Sequence, residues 1–107
     1  MMGYKLTEQA KEDLIEIWNY SADMWGEVQA DRYLRKLESG FERIAKGELV
    51  SKRPLPTFKN VRSVRCEHHY VFFLSCSPPI ILAVLHEKMD FISRLKNRLS
   101  DDLGTSL

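Results

Sequence analysis

Apolar residues in the first half of the chain recur with the period of an α-helix. They form one stripe over residues 8–25 and a second over residues 30–45. The first stripe consists of Ala10, Leu14, Ile17, Ser21, Met24 and Trp25; the second consists of Ala30, Tyr33, Leu34, Leu37, Phe41, Ile44 and Ala45. Thr7 offers an N-cap to the first helix, and Gly26 separates the two. Because almost no residues lie between them, the helices are predicted to fold back as an antiparallel hairpin.

The period changes in the second half of the chain. Residues 48–60 contain Pro54 and Pro56 without periodicity and are predicted to form a loop. Residues 61–66, 69–76 and 80–86 are short segments rich in Val, Ile, Phe and Tyr, separated by turn residues. Short turns between strands predict an antiparallel meander. The third segment is apolar at nearly every position, so it is expected to be central or covered on both sides.

Shorter elements complete the order at both ends. Residues 3–6 alternate briefly and predict an edge strand, and Asp90 can cap a short last helix that turns Leu95 and Leu99 inward. The resulting order is β-αα-βββ-α: an α+β domain in which a helical hairpin packs on a small, mainly antiparallel sheet. One domain is predicted over residues 1–99, with a loose tail over residues 100–107.

Composition agrees with a single folded domain. Of the 107 residues, 44% are hydrophobic and 29% are charged, which is enough apolar material for a core. The longest apolar run, residues 80–85, is too short to cross a bilayer, and no signal peptide is evident, so a cytoplasmic location is expected. Cys66 and Cys76 are predicted to remain free thiols. No metal or cofactor is predicted, because the cysteines and histidines fit no zinc-binding spacing.

Charge is divided unevenly along the chain. Residues 1–49 carry 7 Lys and Arg against 10 Asp and Glu, whereas residues 50–99 carry 9 against 3. This division favours a basic surface that faces an acidic partner. Attraction between the two halves of one fold explains it equally well.

The order of elements, together with particular residues, resembles the RelE/ParE superfamily of toxin–antitoxin toxins, and most closely its ParE branch. The matching residues, spread over about residues 3–95, are Ala10, Asp13, Leu14, Ile17, Tyr20, Trp25, Gly26, Gln29, Ala30, Tyr33, Arg65 and the segments 69–73 and 85–90. The resemblance implies a toxin that poisons DNA gyrase and is held inactive by a ParD-like antitoxin.

The resemblance also raises an alternative, because RelE-like relatives cleave mRNA on the ribosome. That reaction needs a base, a cation for the phosphate and an acid for the leaving oxygen. The nearest candidates are Arg65 and His86, followed by Arg62 and His69. Asp90 places negative charge where RNA phosphate would lie. We therefore expect no catalytic set and treat the ribosome-dependent endonuclease as the alternative; an inert relative that only binds antitoxin is a third possibility.

Two surfaces are candidates for binding. A basic surface for the target is predicted from Arg62, Arg65, Lys88, Arg94 and Arg98, although strand alternation turns Arg62 and Arg65 to opposite faces. The competing explanation is a solvated basic face, and neither a membrane nor a sequence-specific nucleic-acid partner is expected. On the first helix, Ile15, Trp18 and Ala22 form a second apolar strip. This strip suits an antitoxin segment, or simply serves a helix that touches both its partner and the sheet.

Overall fold

The computed structural model describes residues 3–49, 60–88 and 94–96. Its elements are β1 (Lys5–Leu6), α1 (Glu8–Trp25), α2 (Glu27–Ala45), β2 (Val61–Cys66), β3 (His69–Leu74) and β4 (Ile80–His86). Residues 94–96 are helical and belong to the short C-terminal helix. The predicted α+β order is confirmed, except that β1 covers only Lys5–Leu6 of the predicted residues 3–6 and β3 ends at Leu74 instead of residue 76.

The helical hairpin is defined by its capping residues. The Thr7 hydroxyl accepts a hydrogen bond from the Ala10 N–H at 3.1 Å, as expected of an N-cap. Gly26 has a φ of +94°, and its N–H donates to the Ala22 carbonyl at 2.9 Å. This conformation favours glycine, which lets one residue end α1 and begin α2.

The sheet is mixed and has the strand order β1-β4-β3-β2. β2, β3 and β4 pair antiparallel, whereas β1 pairs parallel with β4. The β2–β3 hairpin has a two-residue turn, in which Glu67 has a φ of 56°, and Cys66 lies opposite His69. β4 is central, as its apolar sequence predicted.

Two apolar clusters cover the two faces of the sheet. The cluster beneath the hairpin includes Leu37, Phe41, Val71, Ile81 and Val84. The cluster on the other face consists of Val61, Phe72, Leu82, Ala83, Leu85 and Leu95. The β3–β4 register shifts between Phe72 and Phe73, so that Phe72 lies opposite Ala83 and Phe73 opposite Ile81, with Leu82 as the extra residue. β4 is apolar at nearly every position because both of its faces are covered.

The end of α1 differs from its predicted burial. Met24 and Trp25 belong to the predicted core stripe, yet they are 56% and 62% exposed. The Thr7 hydroxyl bonds to the Leu82 carbonyl and Asp13 bonds to Val84, while β4 ends at His86. The last turns of α1 therefore extend past the end of β4, so the described strands do not cover them.

The remaining predictions concern the two cysteines, membrane spanning and three segments of the second half of the chain. Cys66 and Cys76 are free thiols, and burial raises the pKa of Cys66. Within the ranges that the structure describes, no helix has the length and apolarity needed to cross a membrane. The loop around Pro54 and Pro56, the Asp90 cap and the tail 100–107 lie outside the described residues.

Candidate functional site

A cleft of about 920 Å³ opens where the tip of the helical hairpin overhangs the end of the sheet. One wall is built from α1 and α2, and the other from the β2–β3 turn, the end of β4, and Arg94 of the C-terminal helix. Its polar and aromatic lining residues include Asp13, Glu16, Tyr20, Trp25, Arg32, Tyr33, Lys36, Glu67, His68, His69, His86, Lys88 and Arg94. The cleft therefore collects most of the chemistry-bearing side chains of this end of the molecule.

Asp13 anchors α1 to the central strand at the back of the cleft. Its side chain is only 7% exposed, and its Oδ2 accepts a hydrogen bond from the Val84 N–H at 2.9 Å. A buried carboxylate requires such partners, because an unpaired buried charge is costly. Asp13 therefore has a tertiary role, because it joins α1 to a strand 71 positions further along the chain.

A hydrogen-bonded chain connects α2 with the β2–β3 turn. The Tyr33 hydroxyl accepts from the His68 N–H at 3.1 Å and lies 2.7 Å from His69 Nδ1. The phenol oxygen can accept two hydrogen bonds as well as donate one, so the donor in this contact is set by the tautomer of His69. Burial raises the pKa of Tyr33, which keeps the phenol protonated.

His69 is held in its neutral form. Burial, together with the nearby His86 and His68, lowers its pKa from 6.5 to about 4, although Asp13 and Glu87 act in the opposite direction. The rings of His69 and His86 stack edge to face, with centroids 5.3 Å apart. His86 Nδ1 in turn accepts from the Lys88 N–H at 3.2 Å. These contacts explain the histidines as parts of a packed polar cluster.

Glu87 links an arginine and a histidine near the rim of the cleft. Its carboxylate lies 2.7 Å from an Arg65 guanidinium nitrogen and 3.4 Å from His68 Nδ1. Arg65 also donates to the Glu67 carbonyl at 3.1 Å. Much of the charge of Arg65 is therefore balanced within the chain.

The five basic target-binding candidates do not form one surface. Lys88 and Arg94 both line the cleft and are exposed. Arg62 is half-buried and lies opposite Phe73, on the face of the sheet beneath the hairpin. Arg65 lies on the other face, and Arg98 is outside the described residues.

The pair considered for RNA cleavage is divided by the sheet. Arg65 lies opposite Tyr70, which lies opposite Leu85; Cys66, His69 and His86 make up the next row across the strands. Adjacent rows point to opposite faces. Arg65 and His86 are therefore not brought together. The His86 ring contacts that of His69, and His68 lines the same cleft.

The apolar strip on α1 lies away from the cleft. Ile15 is 61% exposed, whereas Trp18 and Ala22 are half-buried. Trp18 Nε1 donates to Asp31 Oδ1 at 2.8 Å and so ties α1 to α2. Trp18 therefore has a structural contact of its own, and Ile15 is the most accessible member of the strip.

The sequence did not identify Arg32, Tyr33 and Trp25 as residues that line a cleft. It did contain one signal of a buried polar contact, because Asp13 falls within the apolar face of α1, where a carboxylate needs a buried partner. The Tyr33–His69 contact joins residues 36 positions apart and has no local signature.

A hairpin over this mixed sheet, with an open polar cleft at one end, defines a small α+β domain. The same fold occurs in a solved structure described as the chromosomal ParDE TA system from P. aeruginosa, with a TM-score of 0.68, 20% identity and coverage of 80% of this chain and 96% of that one. Residues 4–91 match the family described as "ParE toxin of type II toxin-antitoxin system, parDE", and the chain belongs to that family.

Sequence relatives agree with this assignment. The chain is 45% identical to "Toxin ParE" of Escherichia coli over 101 residues, which covers 92% of this chain and 98% of the relative. It is 33% identical to "Toxin ParE1" of Caulobacter vibrioides, covering 84% and 94% of the two chains. A "Toxin ParE1" of Mycobacterium tuberculosis is 30% identical, with coverage of 81% and 91%.

Proposed function

We propose that this ParE-family toxin inhibits DNA gyrase and promotes its DNA-cleaved state, and that a ParD-like antitoxin neutralises it in the cytoplasm. The observation that carries the proposal is the family match over residues 4–91, supported by a relative named "Toxin ParE" that aligns along 98% of its own length. Such coverage indicates that the whole toxin domain is shared.

The site geometry favours binding over chemistry. A nuclease requires a base and a cation directed at the same phosphate. Here Arg65 is paired with Glu87 on one face of the sheet, while His69 and His86 lie on the other. His69 Nδ1 is also within 2.7 Å of the Tyr33 hydroxyl, so this nitrogen is already engaged in a hydrogen bond within the chain.

The direct test adds the purified chain to bacterial DNA gyrase, ATP and relaxed plasmid. We expect supercoiling to fall with toxin concentration and linear DNA to accumulate after protein denaturation, because a stabilised cleavage complex retains broken strands. Pre-incubation with a ParD-like antitoxin should abolish both effects. Unimpaired gyrase, together with transcript cleavage on translating ribosomes, would instead establish the endonuclease.

Lys88 and Arg94 are the best candidates for contact with gyrase among the basic residues, because both are exposed and line the same cleft. Arg62 is half-buried and Arg65 is ion-paired, which makes both less available. Arg98 remains a candidate from the sequence. Charge reversal at Lys88 and Arg94 together should weaken gyrase inhibition more than reversal at Arg65.

The strip formed by Ile15, Trp18 and Ala22 is proposed as the docking site of the antitoxin. An apolar helix face with an exposed isoleucine suits an amphipathic partner segment. The acidic first half of the chain surrounds this strip, so a partner that docks here needs basic or neutral flanks.

A further inference from the structure

The cleft has an aromatic end and a cationic end. Tyr20 and Trp25 lie at the overhanging hairpin tip, while Arg32, Lys88 and Arg94 lie along the walls. All five side chains line one continuous space of about 920 Å³, within the range of about 300–1,000 Å³ usual for ligand sites. This combination is not explained by the packing of the fold.

The aromatic end presents ring faces to solvent. Tyr20 is 60% exposed and Trp25 is 62% exposed, and the two rings contact each other edge to face at 6.0 Å. Large aromatic side chains are expensive to leave in water, and a grouped pair marks a binding surface. Since every nucleobase has a π-face, such rings stack on unpaired bases without regard to sequence.

The cationic end carries charge that the fold does not use. Within the part of the chain that the structure describes, no ion pair involves Arg32, Lys88 or Arg94. Two of the three lining carboxylates are engaged: Asp13 accepts from the Val84 N–H, and Glu67 pairs with Lys36 at 3.3 Å.

We propose that this cleft binds single-stranded nucleic acid, with an unpaired base stacked on the Trp25 indole, which Tyr20 supports edge to face, and with its phosphates held by Arg32, Lys88 and Arg94. Arg32 lies five residues after Glu27, the first residue of α2, so at about 1.5 Å per residue it is about 7.5 Å from the hairpin turn that Trp25 adjoins, and base and phosphate contacts belong to neighbouring nucleotides. Duplex DNA does not fit this scheme, because its bases are already stacked on one another. The assignment goes beyond gyrase inhibition and does not depend on it.

The fluorescence of Trp25 can report the binding of an oligonucleotide. The chain has two tryptophans, so Trp18→Phe leaves Trp25 as the only indole. Titration of this variant with decathymidylate or decauridylate at low salt should quench its fluorescence, and the stronger of the two distinguishes DNA from RNA as the ligand. An abasic strand of equal length should bind at least about fivefold more weakly, as expected when base stacking contributes. With three cations neutralising phosphates, log K should fall against log salt with a slope of about −2.

Matched variants separate the cleft from the general surface. Arg32→Ala should weaken binding, whereas Arg35→Ala should not, because Arg35 is exposed on the same helix but does not line the cleft. Glu16→Gln should strengthen binding by removing the third lining carboxylate, and Glu12→Gln, outside the cleft, should have no effect. Circular dichroism checks that each variant is folded.

Three results would overturn the assignment: no quenching at low salt by a folded Trp18→Phe chain, equal affinity for duplex and single strand, or equal loss from Arg32→Ala and Arg35→Ala. None of these measurements contains gyrase. A chain that inhibits gyrase but fails to bind oligonucleotide therefore removes this assignment alone, and the reverse result removes only the gyrase proposal.

Discussion

Asp13 shows at the scale of one residue how α1 is held on the sheet. Its Oδ2 accepts the Val84 N–H in a buried setting. Asp13→Ala leaves that N–H without its acceptor, so the free energy of unfolding should fall by about 1.5–3 kcal/mol, the usual value for a hydrogen bond to a charged group. Urea denaturation followed by circular dichroism measures the change.

Two variants identify the cause of that loss. Asp13→Asn keeps an oxygen acceptor and should retain more stability than Asp13→Ala. Glu12→Ala changes the exposed neighbour and should alter stability by less than about 0.5 kcal/mol. Equal effects of Asp13→Ala and Glu12→Ala would mean that the Val84 bond contributes nothing.

His69 predicts how stability depends on pH. Its pKa is about 4 in the folded chain and about 6.5 when unfolded, so the unfolded state binds more protons between these values. The contribution of His69 is fully present above pH 6.5 and is lost as pH falls toward 4. The slope from this group is at most about 1.4 kcal/mol per pH unit.

His69→Gln isolates that contribution. Glutamine does not titrate, and its carbonyl can still accept the Tyr33 proton. The unfolding free energy of the wild-type chain, measured relative to that of the variant at pH 7, 5.5 and 4.5, should fall steadily as the pH is lowered. If the unfolding free energies of the two proteins change in parallel with pH, His69 has the same pKa in the folded and the unfolded state.

At the scale of elements, α2 approaches β2 closely enough to require glycine. A Cβ added to Gly40 would lie 2.6 Å from Cys66 Sγ, and both residues are buried. Overpacking costs about 1–3 kcal/mol, and the better helix propensity of alanine returns about 1 kcal/mol. Gly40→Ala should therefore destabilise the chain by up to about 2 kcal/mol in thermal or urea unfolding.

The effect should disappear when Cys66 is shortened. In a Cys66→Ala background the sulfur is gone, so Gly40→Ala should be neutral or mildly stabilising when compared with Cys66→Ala alone. This double-mutant cycle tests the contact itself. The same loss in both backgrounds would place the cost elsewhere in α2.

The elements were predictable where local pattern decides them. The apolar stripes and Thr7 predicted α1 over the residues where the structure has it, and the Gly26 junction predicted the hairpin. The continuous apolar run of β4 predicted a strand that is central or covered on both faces, and the structure shows both, with neighbours on each edge and an apolar cluster on each face.

The site was less predictable because tertiary placement decides it. Helical period puts Trp25 in the core stripe, but its exposure depends on where β4 ends relative to α1. The Tyr33–His69 bond depends on how α2 crosses the sheet. Similarly, the separation of Arg65 from His86 required the strand register, which places them in adjacent rows on opposite faces.

For the whole molecule, the two proposed binding surfaces lie on different sides of α1. At 100° per residue, the cleft-lining residues Ile17 and Tyr20 lie about 160° and 140° from Ile15, and Trp25, about 80° away in angle, lies ten residues further along the helix. A substitution at Ile15 should therefore affect antitoxin binding without altering the cleft. This separation makes neutralisation and toxicity independently testable.

Ile15→Asp is the variant that uses this separation. Because Ile15 is 61% exposed, the change should leave the fold intact, but it would bury an unpaired carboxylate under a docked antitoxin helix. We expect antitoxin affinity, measured by calorimetry, to fall about tenfold or more, while inhibition of gyrase by the free toxin is unchanged.

Ser75→Asp, at an exposed turn after β3, is the matched control and should keep wild-type affinity. Unchanged affinity of Ile15→Asp would place the antitoxin elsewhere on the domain, whereas parallel loss of antitoxin binding and gyrase inhibition would mean that one surface serves both partners.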